Sequence, residues 1–301
     1  MSNVVGMQPD TNVAPASRPP RQRSLWADSL GRLTKNPGAL VGAACLTLLV
    51  LAAILAPYLT SADPYVVAPR ERLKPPGAEY WFGTDTFGRD IFTRVVYGSR
   101  ISLQVGIISV GIALVVGVTL GLIAGYNGGF IDGLVMRMID VMLAFPGILL
   151  ALVIIAVLGP SLINVMIAVG LSSVPIYARV TRASVLEVRN RDFVLAAVVS
   201  GSRADRIMLR HILPNILGSI VVVATLGVAG AIISGAALSF LGLGAKSPTP
   251  EWGLMLTDGR NFLRQAWWIS TFPGLAIMFT VLSINLLGDG LRDAFDPRMK
   301  K

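Results

Sequence analysis

Between Arg179 and Pro214 the chain reads RVTRASVLEVRNRDFVLAAVVSGSRADRIMLRHILP, a long polar break between two apolar runs. It sets Arg179, Arg182, Arg189, Arg191, Arg203, Arg206 and Arg210 against only Glu187, Asp192 and Asp205. The chemistry such a stretch supports is recognition by cations. It cannot face lipid, because one charge near a bilayer centre costs about 2.5–3.5 kcal/mol even on the lenient insertion scale. His211, the only histidine, stands just before a helix start and reads as a structural or interface residue rather than a metal ligand. Cys45 is the only cysteine and lies inside an apolar run, so an intrachain disulfide and a cysteine-based metal cluster are both excluded.

The elements that position this stretch are membrane helices. Of 301 residues 53% are hydrophobic and 14% charged, about half the charge of a soluble domain. Six apolar runs can be drawn, at Gly38–Leu59, Ile101–Gly125, Gly133–Leu158, Leu162–Tyr177, Ile216–Leu238 and Trp267–Leu287. Most reach the roughly 20 residues that a 30 Å hydrocarbon core requires, and inside it each must be helical to satisfy its backbone. The expected fold is all-α, a polytopic bundle of six spans. The net charge of +9 sits mostly beside the spans, which favours orientation in an anionic membrane over nucleic acid binding.

Residues 1–36 hold Pro9, Pro15, Pro19 and Pro20 with Arg18, Arg21, Arg23, Arg32 and Lys35, and read as a disordered cytoplasmic tail rather than a cleavable signal. A first span follows at 37–60, an outside segment at 61–100, a core at 101–290 containing the basic loop 179–214, and a second cytoplasmic tail at 291–301. Arg292, Arg298, Lys300 and Lys301 agree with this topology. The outside segment conflicts with it, carrying Arg70, Arg72, Lys74, Arg89, Arg94 and Arg100. Reversing that segment would reverse the other three basic clusters, so the topology stands.

Gly117, Gly121 and Gly125 in the second span, and Gly227, Ala231 and Gly235 in the fifth, recur at spacing four, which reads first as close helix packing. Arg137, Asp140 and Asp289 lie near span ends, and no buried acidic pair or His–acid relay for proton coupling is present in the sequence. Asn164 and Asn285 read as inter-helix hydrogen bonders; Pro146, Pro175 and Pro273 as kinks. In the basic loop a helix is expected from Ala183 to Ser200, stopped by Gly201. Ser202 and Asp205 have capping-box spacing for a second short helix through Arg210, and Pro214 opens the fifth span.

This arrangement resembles the coupling loop of ABC importer permeases, Glu-Ala-Ala, three residues, Gly, nine residues, then Ile-x-Leu-Pro. Ala196-Ala197, Gly201 and Leu213-Pro214 match it, while Leu195 replaces the glutamate and His211 the isoleucine. Gly83-Thr84-Asp85-Thr86-Phe87-Gly88-Arg89-Asp90 resembles the GTDxxGRD signature of the dipeptide, oligopeptide and nickel branch. Leu238–Gly244 with Trp252-Gly253, and Asn285-Leu286-Leu287-Gly288-Asp289-Gly290-Leu291-Arg292-Asp293 with Asp296-Pro297, are similar to two further segments of that branch. The likeness is to its C-type subunit.

The resemblance implies a type I ABC importer permease fold and a non-catalytic pathway subunit for di- or oligopeptides. It implies a coupling loop of Asp192, Leu195, Ala196, Ala197, Gly201, Arg210, His211, Leu213 and Pro214. It also implies partners: a second homologous permease, two cytosolic ATPase subunits, and a periplasmic or extracellular solute-binding protein, in a bacterial inner membrane. ATP and magnesium are expected in the ATPase subunits, since no GxxxxGK[ST] loop occurs in this chain; no cofactor or metal is expected here. Alternatives are the same machinery importing nickel chelates or another small solute, a secondary transporter, or a membrane scaffold.

Overall fold

The computed structural model describes residue 31 and residues 33–295, so most of the expected N-terminal tail and the closing Asp296-Pro297 lie outside the described residues. Helix α1 is Pro37–Ile54, prolonged by a short turn at Ala56–Leu59. Asn36 caps it by accepting from the Ala39 N–H at 3.2 Å, with Pro37 at the first helical position where no N–H is needed. Helix α2 is Ile91–Asn127, α3 Gly129–Leu143, α4 Gly147–Leu158 and α5 Leu162–Val188. Helix α6 is Asp192–Val199, α7 the continuous run Ala204–Phe240, α8 Trp252–Gly259 and α9 Trp268–Phe295.

Five of these helices are long and apolar enough to cross a membrane, and α3 with α4 meets the same test only as a pair bent by 91°, the form of a broken span or a re-entrant loop. The six expected runs are thus all present, with corrected boundaries. The second helix starts ten residues before the expected Ile101, because Asp90 caps it: its Oδ2 accepts from the Thr93 N–H at 2.9 Å. The third run is not one helix. It turns by 91° at Ala144–Pro146, where the proline has no N–H to continue α3 and instead precedes α4. The fourth extends past Tyr177 to Val188, carrying Arg179 and Arg182 on a helix rather than in a loop.

Helix α2 lies along α5 with almost no spacer. A Cβ added at Gly117 would fall 2.6 Å from the Tyr177 Cβ, at Gly121 2.6 Å from the Thr181 Cβ, and at Gly125 2.8 Å from the Val185 Cβ. The stripe therefore packs as its spacing predicts. On α7 a Cβ at Gly235 would meet Val105 Cγ1 at 2.5 Å, and Ala231 is buried. One core joins α2, α4, α5 and α7 through Val110, Ala151, Ile155, Val169 and Leu238. Helix α1 packs on α9 through Gly42, whose added Cβ would fall 2.7 Å from the Ser283 carbonyl. Asn164 bridges α4 and α5 by donating to the Leu158 and Gly159 carbonyls, each at 2.9 Å. The basic loop lies at one end of this bundle, called here the loop end; residues 61–90 lie at the other, the segment end.

Candidate functional site: the coupling loop and the segment opposite it

Helix α5 stops at Val188, well before the expected end at Ser200. The Arg189 guanidinium turns back to donate to the Gly125 carbonyl at 2.9 Å, and the chain is extended at Arg191. The break frees α6 to lie on a new axis, with Val194 and Ala197 buried against Leu122, Val185, Val188, Ile207, Ile212 and Ile216. A straight continuation of α5 could not direct both residues into that cluster. The opposite face of α6 is exposed and apolar: Phe193, Leu195, Val198 and Val199, the last 87% exposed. Asp192 and Ala196 are exposed beside them.

Gly201 ends α6 as the sequence predicts, with φ +73°. Its N–H donates to the Val198 carbonyl at 3.0 Å and the Ser202 N–H to the Ala197 carbonyl at 3.1 Å, the paired bonds of a Schellman turn. An added Cβ would meet nothing within 4 Å, so the position demands a left-handed backbone and leaves room for a side chain. The expected capping box is absent. Arg203 is the N-cap residue and makes no side-chain cap, and Asp205 faces the Arg203 Nε at 3.5 Å instead.

Nor is there a separate second short helix. Residues 204–240 run on without interruption through a wide π turn at Ile207–Ile212. There the Leu213 N–H reaches the Met208 carbonyl, one residue further back than in an α-helix. The extra width makes room for Pro214, which lacks an N–H and would otherwise press on the carbonyl four residues before it. Asn215 Nδ2 donates to the His211 carbonyl at 2.6 Å, serving an acceptor beside the break. His211 and Leu213 are half-buried; Arg210 and Pro214 are exposed.

The arginines divide into two groups that their spacing does not separate. Arg182 makes a two-pronged bond to Asp132 at 2.5 and 2.6 Å, and Arg179 pairs with Asp140 at 2.5 Å, both clamping α5 to α3. With Arg189 these serve the bundle itself. Arg191, Arg203, Arg206 and Arg210 remain exposed.

At the segment end, Asp85 Oδ1 accepts from the Phe87 and Arg89 N–H groups at 2.8 and 2.9 Å, and its Oδ2 from Arg89 Nε at 2.6 Å. Arg94 lies 3.6 Å from the same carboxylate. It donates to the Pro64 and Pro248 carbonyls at 3.0 Å each and to the Thr249 carbonyl at 3.4 Å. Both arginines are at most 2% exposed. Gly83 and Gly88 adopt φ +74° and +76° to wrap this turn, and Trp268 Nε1 donates to the Thr84 carbonyl at 3.1 Å. Asp258 stands 3.7 Å from Arg89, and burial holds its carboxyl above the usual range against the pull of Arg89 and Arg94. Glu251 accepts from the Gly253 and Leu254 N–H groups at 2.9 and 2.8 Å; burial raises its carboxyl as well.

Three of the six cations in residues 61–100 are thereby accounted for. Arg89 and Arg94 are interior cations, and Arg100 serves the Ala53 and Ile54 carbonyls at the end of α1. Sequence reading missed Arg94, Asp258 and Trp268. The signal that could have found them was the unexplained positive charge itself. Among the C-terminal motif residues, Gly288 packs on Leu226, Asn285 is half-buried, Asp289 and Arg292 are exposed, and Asp293 accepts from Asn36 Nδ2 at 3.2 Å.

Residues 117–301 match the family described as binding-protein-dependent transport system inner membrane component, and residues 24–76 the N-terminal TM domain of oligopeptide transport permease C. The chain is 52% identical over 294 residues to the dipeptide transport system permease protein DppC of Alkalihalophilus pseudofirmus, covering 98% of this chain and 97% of that protein. It is 45% identical over 271 residues to the di/tripeptide transport system permease protein DppC of Pseudomonas aeruginosa, covering 88% and 89%. Among solved structures it resembles a chain of the inward-facing MetNI methionine ABC transporter, with TM-score 0.55 and 18% identity over 67% of this chain and 96% of that one.

Proposed function

We infer, for a chain that belongs to the family of binding-protein-dependent transport system inner membrane components, that it forms half of a translocation pathway for di- and oligopeptides. It is a transport permease subunit and not itself an enzyme. The peptide assignment is supported by relatives at 52% and 45% identity that are named for dipeptide and di/tripeptide transport.

The observation that carries the mechanism is the two-faced helix α6, which buries Val194 and Ala197 and leaves Phe193, Leu195, Val198 and Val199 uncovered at the loop end. An apolar patch on a rigid support, rimmed by Arg191, Arg203 and Arg206, suits a groove on a cytosolic protein. We assign that partner as an ATPase subunit, bound on the cytoplasmic side together with both chain termini. The other half of the pathway comes from a second permease, and a solute-binding protein delivers peptide at the segment end. Leu195 meets the ATPase by apolar contact where the branch usually has a glutamate.

Coupling then follows from geometry. Helix α6 is fixed to α2 and α7 through one buried cluster, so displacement of α6 by the ATPases is passed to those spans. The ATPases favour one pathway conformation over the other by as much as they bind its α6 more tightly. Reconstitution of the chain with its partner permease, ATPases and binding protein in vesicles tests the assignment. ATP-dependent uptake of a labelled dipeptide is expected, and ATP-independent uptake or none with the complete set would refute it.

A further inference from the structure

At the segment end, where α1 gives way to residues 61–90, a cleft of about 380 Å³ opens beside the bundle. Its lining includes Leu59, Glu79, Tyr80, Trp81, Asp90 and Phe92. Two carboxylates thus share a small space with three aromatic rings. Asp90 uses only one oxygen to cap α2: Oδ2 accepts from the Thr93 N–H and hydroxyl, while the buried Oδ1 has no hydrogen-bond partner among the described residues. Glu79 pairs with Lys74 at 3.4 Å and is otherwise open to solvent. Trp81 stands against Phe92 with ring centroids 4.9 Å apart, and the indole is 65% exposed. The Tyr80 phenol is pushed up, first by burial and then by the negative charges of Glu71 and Glu79; Lys74 opposes the shift by more than Asp90 adds to it. Among the described residues Lys74, over the Tyr80 ring at 5.4 Å, is the one cation set against the two carboxylates, and the exposed Trp81 ring is left uncovered.

That combination selects a cation with N–H groups. Its position selects the source. The cleft's floor is the last turn of α1, a helix whose Leu48, Leu51, Ile54, Leu55 and Leu59 are all exposed along a membrane-spanning length. Tyr58 and Trp81 are exposed beside it, as aromatic residues are where a bilayer meets water. We propose that this cleft holds the headgroup ammonium of an ethanolamine phospholipid. The ammonium pairs with Glu79 in exchange for Lys74 and lies against the Trp81 ring, with the Asp90 charge in the cleft wall, and the acyl chains follow the exposed face of α1. The site lies at the opposite end of the bundle from α6.

The test is native mass spectrometry of the purified complex, stripped of lipid and then offered phosphatidylethanolamine or phosphatidylglycerol at equal concentration. Ethanolamine lipid should be retained about 2–5-fold over the glycerol lipid, from the worth of one exposed cation–ring contact. Glu79→Gln with Asp90→Asn should lower the ratio, since asparagine still caps α2 and only the charge is lost. Trp81→Leu, which leaves the cap and the buried knot untouched, should lower it in the same direction. Equal retention of the two lipids by the wild type, or a ratio unmoved by all three substitutions, would overturn the proposal. So would loss of Ala-Ala dipeptide binding in the double variant with the lipid ratio unchanged, because the ammonium would then be the solute's.

Discussion

Gly201 offers a graded test of how α6 is held. Its φ of +73° lies where an L-residue pays about 1–2 kcal/mol, yet nothing stands within 4 Å of an added Cβ. The cost of a substitution is therefore set by backbone preference and not by volume. Asparagine, which tolerates this region, should be nearly silent; alanine should cost the stated amount; valine, branched at Cβ, should cost more. A penalty of about 1–2 kcal/mol lowers the share of chains with a properly closed corner, and hence apparent ATPase affinity, by up to roughly 5–30-fold. Titrating purified ATPase subunits onto the permease pair in nanodiscs would read this directly, with uptake per ATP hydrolysed as a second readout. The expected order of weakening is Asn, then Ala, then Val. Gly201→Asp should fall near asparagine in docking, since aspartate also tolerates the left-handed region. If asparagine is as damaging as valine, the position is sterically crowded in the assembly and the reasoning fails.

Leu195→Asp and Val199→Asp change exposed residues, so the thermal midpoint of the isolated chain should hardly move while ATPase binding is lost; a large fall in the midpoint would count against the docking face. Asp85→Asn leaves Arg89 and Arg94 buried without their carboxylate and should destabilise by about 3–5 kcal/mol, seen as a lower unfolding midpoint of the detergent-solubilised chain. Gly121→Val forces a branched side chain onto the Thr181 Cβ and should cost about 1–3 kcal/mol, measured the same way, whereas Gly133→Val, with open space around it, should not. Asp258 has a carboxyl raised above its ordinary 3.8, so its protonated form favours the folded state. That contribution is complete below the ordinary value and lost as pH rises through the raised one. Asp258→Asn should remove this part of the pH dependence of the midpoint, and an unchanged profile would contradict it.

Five spans were legible because a hydrocarbon core imposes one length on every apolar run. The Gly117, Gly121 and Gly125 stripe was legible because small residues one turn apart serve close helix contact before any other purpose. Gly201 stood out because it parts an apolar run ending at Val199 from the polar Ser202–Arg206. The turn at Ala144–Pro146 was not legible as a break: Pro146 reads equally as a kink in a continuous helix, and only the packing of α4 on α5 decides. The end of α5 was hidden because Arg189 acts on Gly125, 64 residues away in sequence. The ion pairs of Arg179 and Arg182 were hidden likewise, since their partners lie on another span. Arg94 was misread for a physical reason. Counting cations by location treats each as solvated, and this one spends its donors on carbonyls from two distant segments.

Helix α2 has 37 residues without interruption, about 55 Å at the usual rise. Its first turn is locked into the Asp85–Arg89–Arg94 cluster, and its last turns carry Leu122 and Tyr126 into the packing beneath α6. A rod this stiff does not dissipate motion along its length. Whatever tilts it at one membrane surface must tilt it at the other, so under the proposed function arrival of a loaded receptor and engagement of the nucleotide engine would reach each other through a single solid shaft.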